Sequence, residues 1–80
     1  AKFLWGGREK MQRKHVQSSN INSIGYDEDS ERLEVEFNSG GIYHYYNVPK
    51  VIYLALMNAA SHGVYLNQNI INKYTYRRIG

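Results

Sequence analysis

Polar and apolar positions alternate most cleanly in Arg32-Leu33-Glu34-Val35-Glu36-Phe37, where apolar side chains and charges fall on opposite sides. A period of two with one apolar face predicts a half-buried antiparallel strand. Ahead of it, Ser18-Ser19-Asn20 is turn-like, and Ile21, Ile24 and Tyr26 predict a first strand joined to the second by the polar turn Asp27-Glu28-Asp29-Ser30. After it, Asn38-Ser39-Gly40-Gly41 predicts a hairpin turn and Ile42-Tyr43-His44-Tyr45-Tyr46 a third strand rich in β-forming residues. The period then changes. Pro49 suits the first position of a helix, and within Val51–Ala60 the residues Ile52, Ala55, Leu56 and Ala59 recur at i, i+3, i+4 and i+7. Gly63 fits a left-handed cap after that helix. Val64–Lys73 reads as a second helix with Leu66, Ile70 and Tyr74 on one side, and Tyr74-Thr75-Tyr76 leaves room for a short edge strand. The expected fold class is α+β: a three-stranded antiparallel meander followed by two helices packed on one face, with a possible short C-terminal edge strand.

Residues 1–15 show no such period. Gly6-Gly7 interrupts any helix, and the polar run Arg8–His15 has too little apolar surface to pack. At most a short helix over residues 8–14 is expected, with Met11 as its apolar anchor. The reading is a basic, flexible tail over 1–15 and one folded domain over 16–80.

Turn chemistry decides where Tyr43 and Tyr45 fall. A three-residue Asn38-Ser39-Gly40 loop with Gly40 left-handed sets Val35 opposite Tyr43 and Leu33 opposite Tyr45, on the buried face. A two-residue Ser39-Gly40 loop would set them beside Glu34 and Glu36, but it needs serine at positive φ. Core tyrosines are the favoured reading, and buried hydroxyls then need partners. The opposite face would show Glu34, Glu36, His44 and Tyr46, with His44 placed to pair with Glu34. Two carboxylates there repel phosphate, so a polyanion site belongs elsewhere.

The chain has 80 residues and no cysteine, so it is one domain without disulfides or a thiolate zinc site. A domain this short buries only about 60% of its unfolded surface, and modest stability is expected. The apolar run Phe3-Leu4-Trp5 is too short for a signal core, and no stretch approaches the ~20 apolar residues of a membrane span. A cytoplasmic location without membrane partner follows as the expectation.

The net charge is +3, distributed as +4 over residues 1–20, −5 over 21–40 and +4 over 41–80. Basic ends suggest polyanion binding, against the alternative of an ordinary mixed surface once the chain folds. The candidate nucleic-acid contacts are Lys10, Arg13 and Lys14 in the tail, Lys50 at the first helix, Lys73 with Asn67, Gln68 and Asn69 on the second, and Tyr76, Arg77 and Arg78. Tyr76 beside two arginines offers stacking and charge together, as single-strand binders do, or is an edge-strand tyrosine between solvated arginines.

Catalytic and metal chemistry find little support. A calcium loop starting at Asp27 would need glycine at Arg32 and glutamate at Asn38. His15, His44 and His62 lack ligand spacing. No Gly-x-Ser-x-Gly elbow is present, no acid lies in residues 41–80 to orient His44 or His62, and Gly6-Gly7 and Gly40-Gly41 lack the context of a phosphate loop. Ser61 suits a backbone hydrogen bond at the interhelical turn. The expectation is no enzyme, no metal and no small-molecule cofactor.

Three stretches, taken together, resemble one family. They are Val16-x-Ser18-Ser19-x-Ile21-x-x-Ile24-Gly25-Tyr26-Asp27, Leu33-x-Val35-x-Phe37-x-x-Gly40-x-x-Tyr43-x-Tyr45-x-x-Val48-Pro49, and Ala60-Ser61-x-Gly63-x-Tyr65-x-Asn67-x-x-Ile70. This is similar to the KTSC domain, found at the C-terminus of some lysyl-tRNA synthetases and as a stand-alone bacterial or phage protein. The resemblance covers about residues 16–79, with Tyr43, Tyr45, Pro49, Ser61 and Gly63 as its structural motif positions, and it implies a role in RNA binding, tRNA or single-stranded. The competing expectation is a protein-interaction or oligomerisation module. Val51, Ile52, Tyr53, Leu54, Leu56 and Met57 cover more than one face of the first helix, which either meets a partner or is sandwiched within the fold.

Overall fold

The alternating run Arg32–Phe37 becomes the central strand of a five-stranded antiparallel sheet. The computed structural model describes residues 13–80. Its strands β1 (Arg13–His15), β2 (Ile21–Asp27), β3 (Arg32–Phe37), β4 (Ile42–Tyr45) and β5 (Tyr76–Arg78) lie in the order β1-β2-β3-β4-β5. Helices α1 (Lys50–Asn58) and α2 (His62–Asn69) come between β4 and β5.

Ile21 and Ile24 are three residues apart, which in a regular strand would put them on opposite faces. A bulge between Ile21 and Ser23 corrects the phase: Ile21 pairs with Phe37, Ser23 with Glu36 and Ile24 with Val35. Both isoleucines are fully buried as a result. At the next hairpin Phe37 N–H donates to Gly41 O and Gly40 N–H to Phe37 O, each at 2.9 Å, and Gly40 takes φ +109°. This is the three-residue loop, and it places Val35 opposite Tyr43 and Leu33 opposite Tyr45.

The core is formed by Ile24, Leu33, Val35 and Tyr45 from the sheet with Leu56, Leu66 and Ile70 from the helical segment, completed by Val16, Ile21 and Val48. Tyr26 ties β2 to α1: its ring stacks on Tyr53 at 4.6 Å and its hydroxyl donates to Val48 O.

Several boundaries differ from expectation. Arg13–His15 is a strand rather than tail or helix, paired with Ser23–Gly25 of β2. The rest of the expected tail lies outside the described residues. Pro49 is the extended residue that caps α1, and the helix begins at Lys50. Gly63 is the second residue of α2, not a left-handed cap, because Ser61 Oγ accepts from Val64 N–H at 3.3 Å and starts the helix earlier. A Cβ at Gly63 would stand 3.4 Å from Asn20 Nδ2 and 3.6 Å from Ser18 Oγ, so close packing against the 18–20 turn explains that glycine. α2 stops at Asn69, short of Lys73: its cap Ile70 leaves the helical range at φ −122°, and two residues further on Asn72 turns left-handed with φ 69°. His62 opens α2 and its Nδ1 lies 2.8 Å from Leu56 O, linking the helices. Among the described residues no helix is long and apolar enough to cross a membrane.

Candidate nucleic-acid interface

One register line crosses the helix-free face of the sheet: Arg13, Gly25, Glu34, His44 and Arg77 stand opposite one another on successive strands. Gly25 has no side chain, so Arg13 reaches across β2 and sets Nε 3.0 Å from Glu34 Oε2. His44 Nε2 lies 2.7 Å from the other carboxylate oxygen, the cross-hairpin pair expected from the sequence. Glu36 accepts from Asn22 Nδ2 and Ser23 Oγ, both at 2.9 Å, with Arg13 Nη1 at 3.6 Å. This face is therefore an internally compensated polar network, and Arg13 is committed to carboxylates rather than presented to phosphate.

The hydrogen bonds from Asn22 and then Ser23 hold the Glu36 carboxyl below its usual range, with Arg13 adding to them. A carboxylate depressed in the folded state stabilises the fold above its unfolded pKa and loses that contribution as pH falls through the folded value. Urea midpoints are accordingly expected to fall as pH drops below about 4.5. Glu36→Gln is expected to flatten that fall, and an unchanged slope would assign the acid sensitivity to other groups.

The helix-side face is different at its β4–β5 edge. Tyr43, Tyr45 and Tyr76 pack with centroids 5.9 Å apart for each pair involving Tyr76 and 6.5 Å for Tyr43–Tyr45, and Phe37 meets Tyr43 edge-on at 5.5 Å. Tyr45 is 3% exposed whereas Tyr76 is 56% exposed, so the cluster runs from core to surface. Arg78, opposite Tyr43 in register, holds its guanidinium carbon 5.9 Å from the Tyr43 ring centre, within cation–π range. Beside them opens a cleft of about 330 Å³ lined by Phe37, Ser39, Tyr43, Tyr45, Ile71 and Tyr76, together with Asn72.

Burial, followed by the neighbouring phenols of Tyr43 and Tyr76, pushes the Tyr45 hydroxyl up to about 12. An acid raised in this way stabilises the fold below its unfolded pKa, near 10, and that contribution is lost as pH rises through about 12. Absorbance titration is expected to find one tyrosine that ionises only with alkaline unfolding. Tyr45→Phe should move that unfolding to higher pH; an unshifted midpoint would count against this cause.

The candidate residues do not form one site. Tyr76 and Arg78 meet Tyr43 at the aromatic edge, with exposed Lys73 following Asn72 of the cleft lining. Arg77 falls on the opposite face, in register with His44. Lys50 lies 3.2 Å from Glu28, Lys14 sits on β1 at the far edge of the sheet, and Lys10 lies outside the described residues. Phe37, Ser39, Ile71 and Asn72 were absent from the candidates. The hairpin register, which carries Phe37 and Tyr43 to one face, points to Phe37 alone among them.

A family model described as KTSC domain matches residues 17–74. An uncharacterized protein from Stutzerimonas stutzeri is 47% identical over 58 residues, 72% of this chain and 82% of that protein. A lysine–tRNA ligase from Nostoc punctiforme is 32% identical over 63 residues, 79% of this chain but 11% of that enzyme. The crystal structure of a KTSC domain protein from Yersinia pestis superposes with a TM-score of 0.86 at 42% identity, covering 89% of this chain and all of that one. On both sequence and fold, the chain belongs to the KTSC domain family.

Proposed function

We propose that this protein is a non-catalytic, cytoplasmic module that binds single-stranded RNA at the edge formed by Tyr43, Tyr76 and Arg78. The observation that carries the reading is an exposed Tyr76 ring packed on two further tyrosines, with a guanidinium over one of them. Such a platform stacks bases on its aromatic faces and offers cations, including Lys73, to the phosphates. A similar stretch within lysine–tRNA ligases accords with an RNA partner. Fluorescence anisotropy of the full chain against labelled single-stranded RNA and tRNA is the test. Binding that weakens with salt yet persists at physiological ionic strength supports the reading, and its absence there overturns it.

A second reading has its own observation. Val51 and Leu54 of α1 are 69% and 44% exposed, an apolar surface left bare by the packing of Leu56. A protein partner held there would bind with little dependence on salt. Leu54→Glu is expected to abolish such an interaction and leave RNA affinity unchanged.

A further inference from the structure

A second depression adjoins the aromatic cleft, and its chemistry is unlike that of a phosphate site. It is an open groove of about 700 Å³ between α2 and the β3–β4 turn. Its polar lining comes from the carboxamides of Asn20, Asn38, Asn67 and Gln68 and from serine hydroxyls, over apolar side chains that include Ile21 and Leu66. None of the lining side chains is charged. Phe37, Ser39 and Ile71 line both depressions, so the groove and the aromatic cleft adjoin across these three residues.

The carboxamides differ in what they have left to offer. Asn38 Nδ2 already donates to Ser18 O and Ser19 O, at 3.3 and 3.0 Å, which leaves its oxygen as an acceptor. Asn69, outside the groove, folds back on Tyr65 O. Asn67 and Gln68 are exposed, and their side chains make no hydrogen bond among the described residues. A carboxamide presents a donor and an acceptor side by side, the complement of a nucleobase edge and in particular of adenine, which Asn and Gln read in bidentate fashion. A neutral groove with an apolar floor suits a flat, uncharged ring and holds no cation to draw in a phosphate.

We propose that this groove receives an unpaired adenine from the strand stacked at Tyr76 and reads its edge through Asn67 and Gln68. This makes the module base-selective, and it rests on the single-stranded RNA reading above. The backbone follows the basic, aromatic edge at Arg78 while one base turns across Phe37 and Ile71 into the groove.

The test uses the full chain and three labelled RNA dodecamers: oligo(U), and the same oligomer with a central pair of adenines or of cytosines. The adenine oligomer is expected to bind about tenfold more tightly than the other two, the discrimination a bidentate contact gives. Asn67→Ala/Gln68→Ala is expected to bring it to the oligo(U) level with oligo(U) affinity unchanged; both positions are exposed, and circular dichroism verifies the fold. Equal wild-type affinity for all three, or any other ranking, overturns base reading and leaves RNA binding standing. A double variant that weakens all three equally also overturns it, making the groove a non-selective contact. No wild-type binding to any oligomer overturns both readings together.

Discussion

Leu56→Ala is expected to lower the unfolding free energy by about 2–5 kcal/mol, the range for removing a large aliphatic side chain from a packed core. Of the residues of α1, Leu56 alone is buried, with no measurable exposure. The helix has nine residues, shorter than the ~12–15 an isolated helix needs to persist in water. Its helical state therefore depends on being anchored, and the anchor is one side chain assisted by half-buried Ile52, Tyr53 and Met57. A domain of 80 residues has roughly 4–12 kcal/mol in total, so the substitution removes a large share. Urea denaturation by circular dichroism measures it, with Leu54→Ala as the exposed control expected within about 0.5 kcal/mol. A loss below about 1 kcal/mol would mean that α1 is held elsewhere.

Tyr76→Ala is expected to weaken single-stranded RNA binding by about 5- to 150-fold, the cost of about 1–3 kcal/mol for one lost stacking surface. Tyr76→Phe keeps the ring and is expected to bind nearly as well as the wild type. That contrast separates stacking from a hydroxyl contact. Unchanged affinity for Tyr76→Ala in a folded protein would remove the aromatic edge from the proposed interface.

What the sequence allowed one to read follows from how local each determinant is. The alternation of Arg32–Phe37 and the left-handed demand at Gly40 are properties of a few adjacent residues, and they carried the β3–β4 register correctly. Other determinants act between distant segments. β1 pairs with β2 and Arg13 meets Glu34 across Gly25, residues 21 positions apart that no window joins. Gly63 looks like a helix stop until the 18–20 turn is seen against it. Asn72, left-handed two residues past the cap of α2, looks like any polar residue on a helix face until its positive φ is known. The site divides the same way. Tyr76 and Arg78 were evident as an aromatic–basic pair, but their meeting with Phe37 and Ile71 depends on β5 returning to β4 after two helices.

Among the described residues, the two outer strands of the sheet are each three residues long and rich in basic side chains: Arg13-Lys14-His15 on one side, Tyr76-Arg77-Arg78 on the other. An outer strand leaves backbone groups unpaired along its free side, an invitation to add a strand from another molecule. Here any two copies that approach edge to edge bring like charges together, at either edge and in either orientation. Such charges oppose the addition of a second copy along either edge. Replacing exposed Lys14 and Arg77 would be felt in colloidal behaviour, as precipitation or fibre growth at high concentration, in a protein whose individual fold is still intact.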